Sequence, residues 1–166
     1  MRSEHVFARL WPAVVLLAAA GCKSPGSTPA IPSTPGTFSM TVEQGTTGRG
    51  PKTSYSGPAT FSSVSGGTRI VLWADSSFST ALVSLFRSTA VTGPGTYDTD
   101  NQTVANNNPM LAPTLFLVSD VFTSATTADF GGSVMIAALS GTSLTATIGY
   151  SDGVHSVDAG VNAIPR

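Results

Sequence analysis

At 166 residues and 16.9 kDa the chain can build one domain with a proper core, whereas two would each be marginal. Only 10% of residues are charged and the formal net charge is −1, so no basic surface for nucleic acid is implied; the abundance of Ser, Thr, Gly and Pro, with a mean hydropathy of +0.20, suits a secreted or surface β-protein covered by hydroxyls. A single cysteine excludes an internal disulfide and leaves the redox compartment unread.

Residues 1–9 carry Arg2 and Arg9, and residues 10–20 are apolar apart from the break at Pro12. This is the charged region and apolar core of a signal segment. Eleven apolar residues in a helix at ~1.5 Å each reach about half of a ~30 Å hydrocarbon layer, so a transmembrane span is not expected. Ala19, Ala20 and Gly21 then lead into Cys22, and this resembles the lipobox of bacterial lipoprotein signal peptides, with Ala19 where those usually show leucine. The resemblance implies that the Cys22 thiol takes a diacylglyceryl group, that cleavage makes Cys22 the mature amino terminus, and that in many bacteria its amine is acylated too. One acyl chain anchors only marginally, at ~0.8 kcal/mol per buried CH₂, whereas two or three hold firmly. Lys23, not an aspartate, follows the cysteine, which in that family favours the outer membrane of a Gram-negative host. An ordinary secretory signal with an incidental cysteine is the competing reading. Without residues 1–21, which hold Arg2, Arg9 and Glu4, six basic and eight acidic residues remain.

Residues 22–37 hold the lipidation candidate and a tether with Pro25, Pro29, Pro32 and Pro35 among Ser, Thr and Gly. That composition predicts an extended, solvated spacer of up to about 40 Å at ~3.1 Å per residue. From Phe38 onward, residues 38–166 read as one all-β domain, because apolar residues recur with period two between Gly, Pro, Asn and Asp clusters. Phe38, Met40 and Val42 point to one side of a first strand. A Gly-Pro turn at Gly57 and Pro58 precedes a strand around Phe61, and residues 68–74 are apolar on both faces, as in a central strand. Residues 80–87 are also apolar on both faces. Their Thr, Ser and Val content favours strand, against a helix with Leu82, Leu85 and Phe86 at three-to-four spacing.

Residues 92–109 are turn chemistry with a short strand over 96–98, and residues 112–122 resume the alternation. Residues 131–139 and 143–151 form a hairpin, Val134, Ile136 and Ala138 sharing one face and Leu144, Ala146 and Ile148 another. A last strand carries Val157, Ala159 and Val161 and ends at Pro165. The fold class is a single antiparallel β-sandwich or partly closed barrel of about eight or nine strands. Gly132, Ser133, Val134, Ile136 and Leu139, then Leu144 and Tyr150, then Val161, Asn162 and Pro165 together resemble the closing half of small bacterial lipoproteins and secreted domains without assigned function. The segment TATIGY stands where those carry a Gly-Thr-Phe strand start. The resemblance implies a fold and transfers no functional residue.

Chemistry is sparse beyond residue 21. His155, Asp152 or Asp158, and one of many serines would be needed for a hydrolytic triad, and no G-x-S-x-G elbow is present. His155 reads instead as an exposed strand residue beside the turn at Asp152 and Gly153. Asp98, Asp100 and Asn101 have the alternating oxygens that open a calcium loop, but Pro109 stands where a bidentate Glu would close it. A solvated turn is the expectation there. Trp73, Tyr55, Tyr97 and Tyr150 could stack on sugar rings, Trp73 reading as core because its strand is so apolar. No cofactor is expected. The function that follows is a non-catalytic envelope binding module for a small apolar or sugar ligand. Its rivals are an assembly partner of another envelope protein and, behind it, a hydrolase.

Overall fold

The computed structural model of the chain describes residues 29–122 and 130–166. The signal segment, Cys22 and residues 23–28 of the tether lie outside the described residues. The strands are β1 (Thr37–Gln44), β2 (Lys52–Val64), β3 (Gly67–Trp73), β4 (Ala81–Arg87), β5 (Gly95–Asp100), β6 (Phe116–Asp120), β7 (Gly131–Leu139), β8 (Leu144–Ser151) and β9 (His155–Pro165), with one short helix, α1 (Gln102–Asn107), between β5 and β6. They close into a barrel in the order β1-β2-β3-β4-β6-β5-β7-β8-β9. Of the two expected architectures, the barrel is the one formed, and it is closed.

Period-two patterning decides what faces inward. Phe38, Met40 and Val42, Ile70 and Leu72, Val83 and Leu85, Phe116 and Val118, and Val157, Ala159 and Val161 all lie in one buried cluster. Leu144, Ala146, Ile148 and Tyr150 join them. Residues 81–87 form a strand because Val83 and Leu85 fill the interior while Leu82 and Phe86 remain half-buried outside. Ser65 (φ +50°) and Gly66 (φ +79°) make the two-residue turn from β2 to β3, both left-handed as the twist of a tight hairpin requires.

Several expectations need correction. Gly57 and Pro58 are not a turn; they lie within β2, where its partner changes from β1 (Thr37 opposite Pro58) to β3 (Ala59 opposite Leu72). A proline is tolerated at that corner because ladder pairing is already interrupted. Residues 92–109 hold more structure than turns: β5 runs to Asp100, and Asn101 caps α1 by accepting from the Val104 amide at 2.8 Å. The helix carries the chain from β5 to a parallel partner, β6, a connection that antiparallel hairpins cannot make. A register shift between Ile136 and Ala138 turns Ala138 outward, exposed, and brings Leu139 against the core instead.

The tether differs most. Residues 29–36 form a strap against the barrel: Asn162 Nδ2 donates to the Pro32 carbonyl at 3.1 Å, Gly36 N to Asn162 O at 2.6 Å, and Ala59 N to Gly36 O at 2.8 Å. Ala30 crosses the outer side of β9 so closely that a Cβ on Gly160 would lie 2.4 Å from its carbonyl oxygen. Proline-rich chain can dock because it has few amides to satisfy and little entropy to lose. Six residues, 23–28, lie between Cys22 and the start of the strap, so the stretch available as a spacer is shorter than residues 23–37.

Candidate functional site

At one end of the barrel His155 opens β9, half-buried rather than exposed, with Nδ1 3.3 Å from Asp152 Oδ2. Asp152 is buried and also accepts from the amides of Val154, at 2.8 Å, and His155. Burial by itself would raise its pKa; the two backbone amides and the His155 ring outweigh it and hold the carboxyl below the ordinary 3.8. The acid half of a triad is therefore assembled, but as the hub of the β8–β9 turn, and among the described residues no serine hydroxyl bonds the His155 ring. Because the folded pKa is depressed, the stabilisation is full above about 3.8 and fades as pH falls through the folded value. Asp152→Asn should thus lower stability at pH 7 by roughly 1–2 kcal/mol. In urea titrations that deficit should narrow steadily below pH 4; a constant deficit would show that the charge is not what matters.

Tyr150 plugs the same end. Its hydroxyl donates to Asp120 Oδ2, and Phe130 stacks on its ring at 5.5 Å. Burial first, and the Asp120 charge second, push the phenol well above its ordinary value, so it stays a donor. Tyr55 lies 5.0 Å from Phe122, and both line a small cleft of about 310 Å³ with His155. The calcium candidates are spent on local structure. Asn101 caps α1, Asp100 accepts from the Asn101 amide at 2.7 Å, and Asp98 is exposed. Among the described residues no cluster of three or more His, Cys, Asp or Glu could hold a metal.

Trp73 is not a core residue. Since Ile70 and Leu72 point inward, alternation sends Trp73 outward at the end of β3, half-buried. Its Nε1 donates to Thr60 Oγ1 on β2 at 2.9 Å, and Phe78 stands edge-on to it at 5.9 Å and 89°. Val71 is buried on that outer face too, so β3 is apolar on both faces although only Ile70 and Leu72 face the barrel core. Phe78 holds a left-handed φ of +55°, a conformation costing about 1–3 kcal/mol in a bulky residue. The loop that imposes it is tied to Asp75, whose carboxylate accepts from the amides of Ser77, Ser79 and Thr80 and from both serine hydroxyls. The Ser77 hydroxyl first, then these amides, hold Asp75 far below the usual carboxylate range.

Into this aromatic corner reaches Arg166. Its amide donates to Phe61 O at 2.9 Å, beside β2, and its guanidinium carbon lies 5.2 Å from the Trp73 ring centre and 4.4 Å from that of Phe78. Next to the corner runs a groove of about 560 Å³ between the strap and the outer side of β1 and β2, more apolar than polar, whose lining includes Pro32, Pro58 and Phe38 with Thr34, Thr37, Ser39 and Ser56. Gly57, also in its wall, lies so near Trp73 that a Cβ there would be 2.5 Å from the Trp73 carbonyl oxygen. Groove and corner are neighbours on the outer side of β2, Pro58 lining the groove and Thr60, two residues on, bonding Trp73 in the corner. Sequence reasoning could weigh Trp73 only as core or platform, and the strap that forms the opposite wall carried no signal beyond its prolines.

No family model matches the chain, and no curated protein or solved structure is significantly similar to it.

Proposed function

We propose that this chain is a lipid-anchored protein of the cell envelope whose barrel is a non-catalytic binding module, engaging a sugar chain along the strap groove and at the Trp73 corner. Supporting the anchor is the sequence around Cys22, the lone thiol at the end of a short apolar segment. The observation that carries the binding role is the Trp73–Phe78 corner: a strained aromatic outside the core, beside an open groove, is difficult to explain by packing alone. The interior is filled by side chains from every strand, so a ligand held inside, lipocalin-fashion, is disfavoured. Assembly by strand addition is disfavoured too, since a closed barrel presents no continuous free edge.

Two measurements test the reading. Cells fed radioactive fatty acid should label the wild-type protein and not Cys22→Ala; equal labelling of both removes the anchor. In calorimetric titration against a panel of neutral and charged oligosaccharides, at least one should bind saturably to the wild type and not to Trp73→Ala. If none binds, the module has another role.

A further inference from the structure

Charge is unevenly distributed along the chain. From residue 44 to residue 97 the sequence holds Arg49, Lys52, Arg69 and Arg87 against the single acid Asp75, while residues 98–158 hold acids and no Lys or Arg. Lys52 is ion-paired with Glu43 at 3.5 Å and Arg87 turns over the Tyr97 ring, which leaves Arg69 on β3 as the outward cation of this part of the barrel, and Arg166 is brought to the same side by the pairing of Pro165 with Phe61. Asp75 stays ionised, but its carboxylate is directed into its own loop by five hydrogen bonds and makes no ion pair with either arginine.

Two arginines on this outer face lie over aromatic rings. Arg166 lies against Trp73 and Phe78, and Arg69 lies over Phe86 at 5.6 Å. Both are exposed, and among the described residues neither makes an ion pair. Between them runs Ser62, which pairs with Arg69 across β2 and β3. A guanidinium seated on an aromatic ring and outside any side-chain ion pair can offer its N–H groups as a fork for a carboxylate. The neighbouring groove, largely apolar with Thr34, Ser39 and Ser56 in its lining, suits the apolar ring faces and hydroxyls of adjoining sugars.

We infer that the ligand of this face is an acidic polysaccharide strand, with sugar carboxylates on Arg166 and Arg69 and neighbouring rings in the strap groove. This rests on the binding-module reading above and adds the ligand's charge and chemistry. The phosphate of a lipid headgroup or a sulfated polymer would meet the same arginines, and the groove favours the carboxylate-bearing glycan because it extends the contact beyond one charge.

The test is calorimetry on the full-length protein with oligogalacturonate, maltooligosaccharide of the same length, dextran sulfate and vesicles of anionic phospholipid. Oligogalacturonate should bind at least about tenfold tighter than the neutral chain and weaken as salt is raised. Arg166→Lys, which retains the charge and the backbone contact, should lose about tenfold because the planar fork is gone. Phe78→Gly, which relieves the left-handed strain and so should leave the unfolding midpoint close to wild type, should also lose affinity. Equal binding of neutral and acidic chains would overturn the acidic assignment while leaving the binding module standing, and no binding by any probe would remove both. Dextran sulfate or vesicles binding as tightly as oligogalacturonate, with Arg166→Lys unaffected, would reduce the face to a simple cation patch and overturn the inference.

Discussion

Phe116→Ala is expected to lower the unfolding free energy by about 3–5 kcal/mol, the range for truncating a fully buried phenylalanine. Phe116 is 0% exposed and meets Tyr97 edge-on at 5.7 Å. Its position raises the stakes, because it stands at the junction of β5 and β6, where only Thr99–Phe116 and Asp100–Leu117 are paired. Every longer seam of the barrel shares its burden among several ladder pairs, whereas here ring packing must hold two strands that few hydrogen bonds join. The melting temperature should fall by roughly 10–15 °C for a domain of this size. Leu117→Ala, one residue along but only half-buried, should cost about 1.5 kcal/mol or less. Urea unfolding of the two variants measures the contrast, and a loss below about 1 kcal/mol for Phe116→Ala would mean that the seam is not sealed by side chains.

Gly160→Val should release the strap while leaving the barrel folded. Gly160 is buried although it points away from the interior, since the carbonyls of Ala30 and Pro29 would lie 2.4 and 2.7 Å from any Cβ there. Those are backbone atoms, which cannot swing aside as a side-chain tip can, so accommodation requires residues 29–32 to leave β9. The Asn162–Pro32 hydrogen bond and one wall of the groove then go with them. Limited proteolysis should cut residues 29–36 at least about tenfold faster, reflecting a local opening free energy lowered by ~1.4 kcal/mol or more. Binding of oligogalacturonate should weaken in parallel. Unchanged proteolysis would show that the strap holds without this contact. Strap release with full affinity would detach the groove from the ligand.

Much of the fold was legible because a half-buried strand writes its environment into every second residue. The alternations at Phe38, Met40 and Val42, at Leu144, Ala146 and Ile148, and at Val157, Ala159 and Val161 all predicted inward faces that the barrel uses. The same rule failed where its premise did. At Ile136 a bulge resets the phase and Ala138 turns out, and at β3 a covered outer face hides which side is the core. Residues 92–109 were opaque for another reason: Asn, Asp and Gly favour turns and helix caps alike, and only the packed position of Asn101 decides between them.

The candidate site was less legible. Trp73 and Phe78 are close in sequence but Arg166 is far from both, and no local pattern links a loop phenylalanine to a distant arginine. The strap read as a spacer, since a proline-rich segment looks the same whether solvent or a sheet lies beside it.

By itself, the sequence determined the strand pattern, the single all-β domain and the segregation of acids from bases along the chain, because each is a property of neighbouring residues. Tertiary structure alone decided that β5 and β6 exchange places to close the barrel, that residues 29–36 lie against Gly160, and that Arg166 lies between Trp73 and Phe78. Those depend on which surfaces meet once the chain has closed on itself, and long-range contacts of that kind leave no periodic trace in the order of residues.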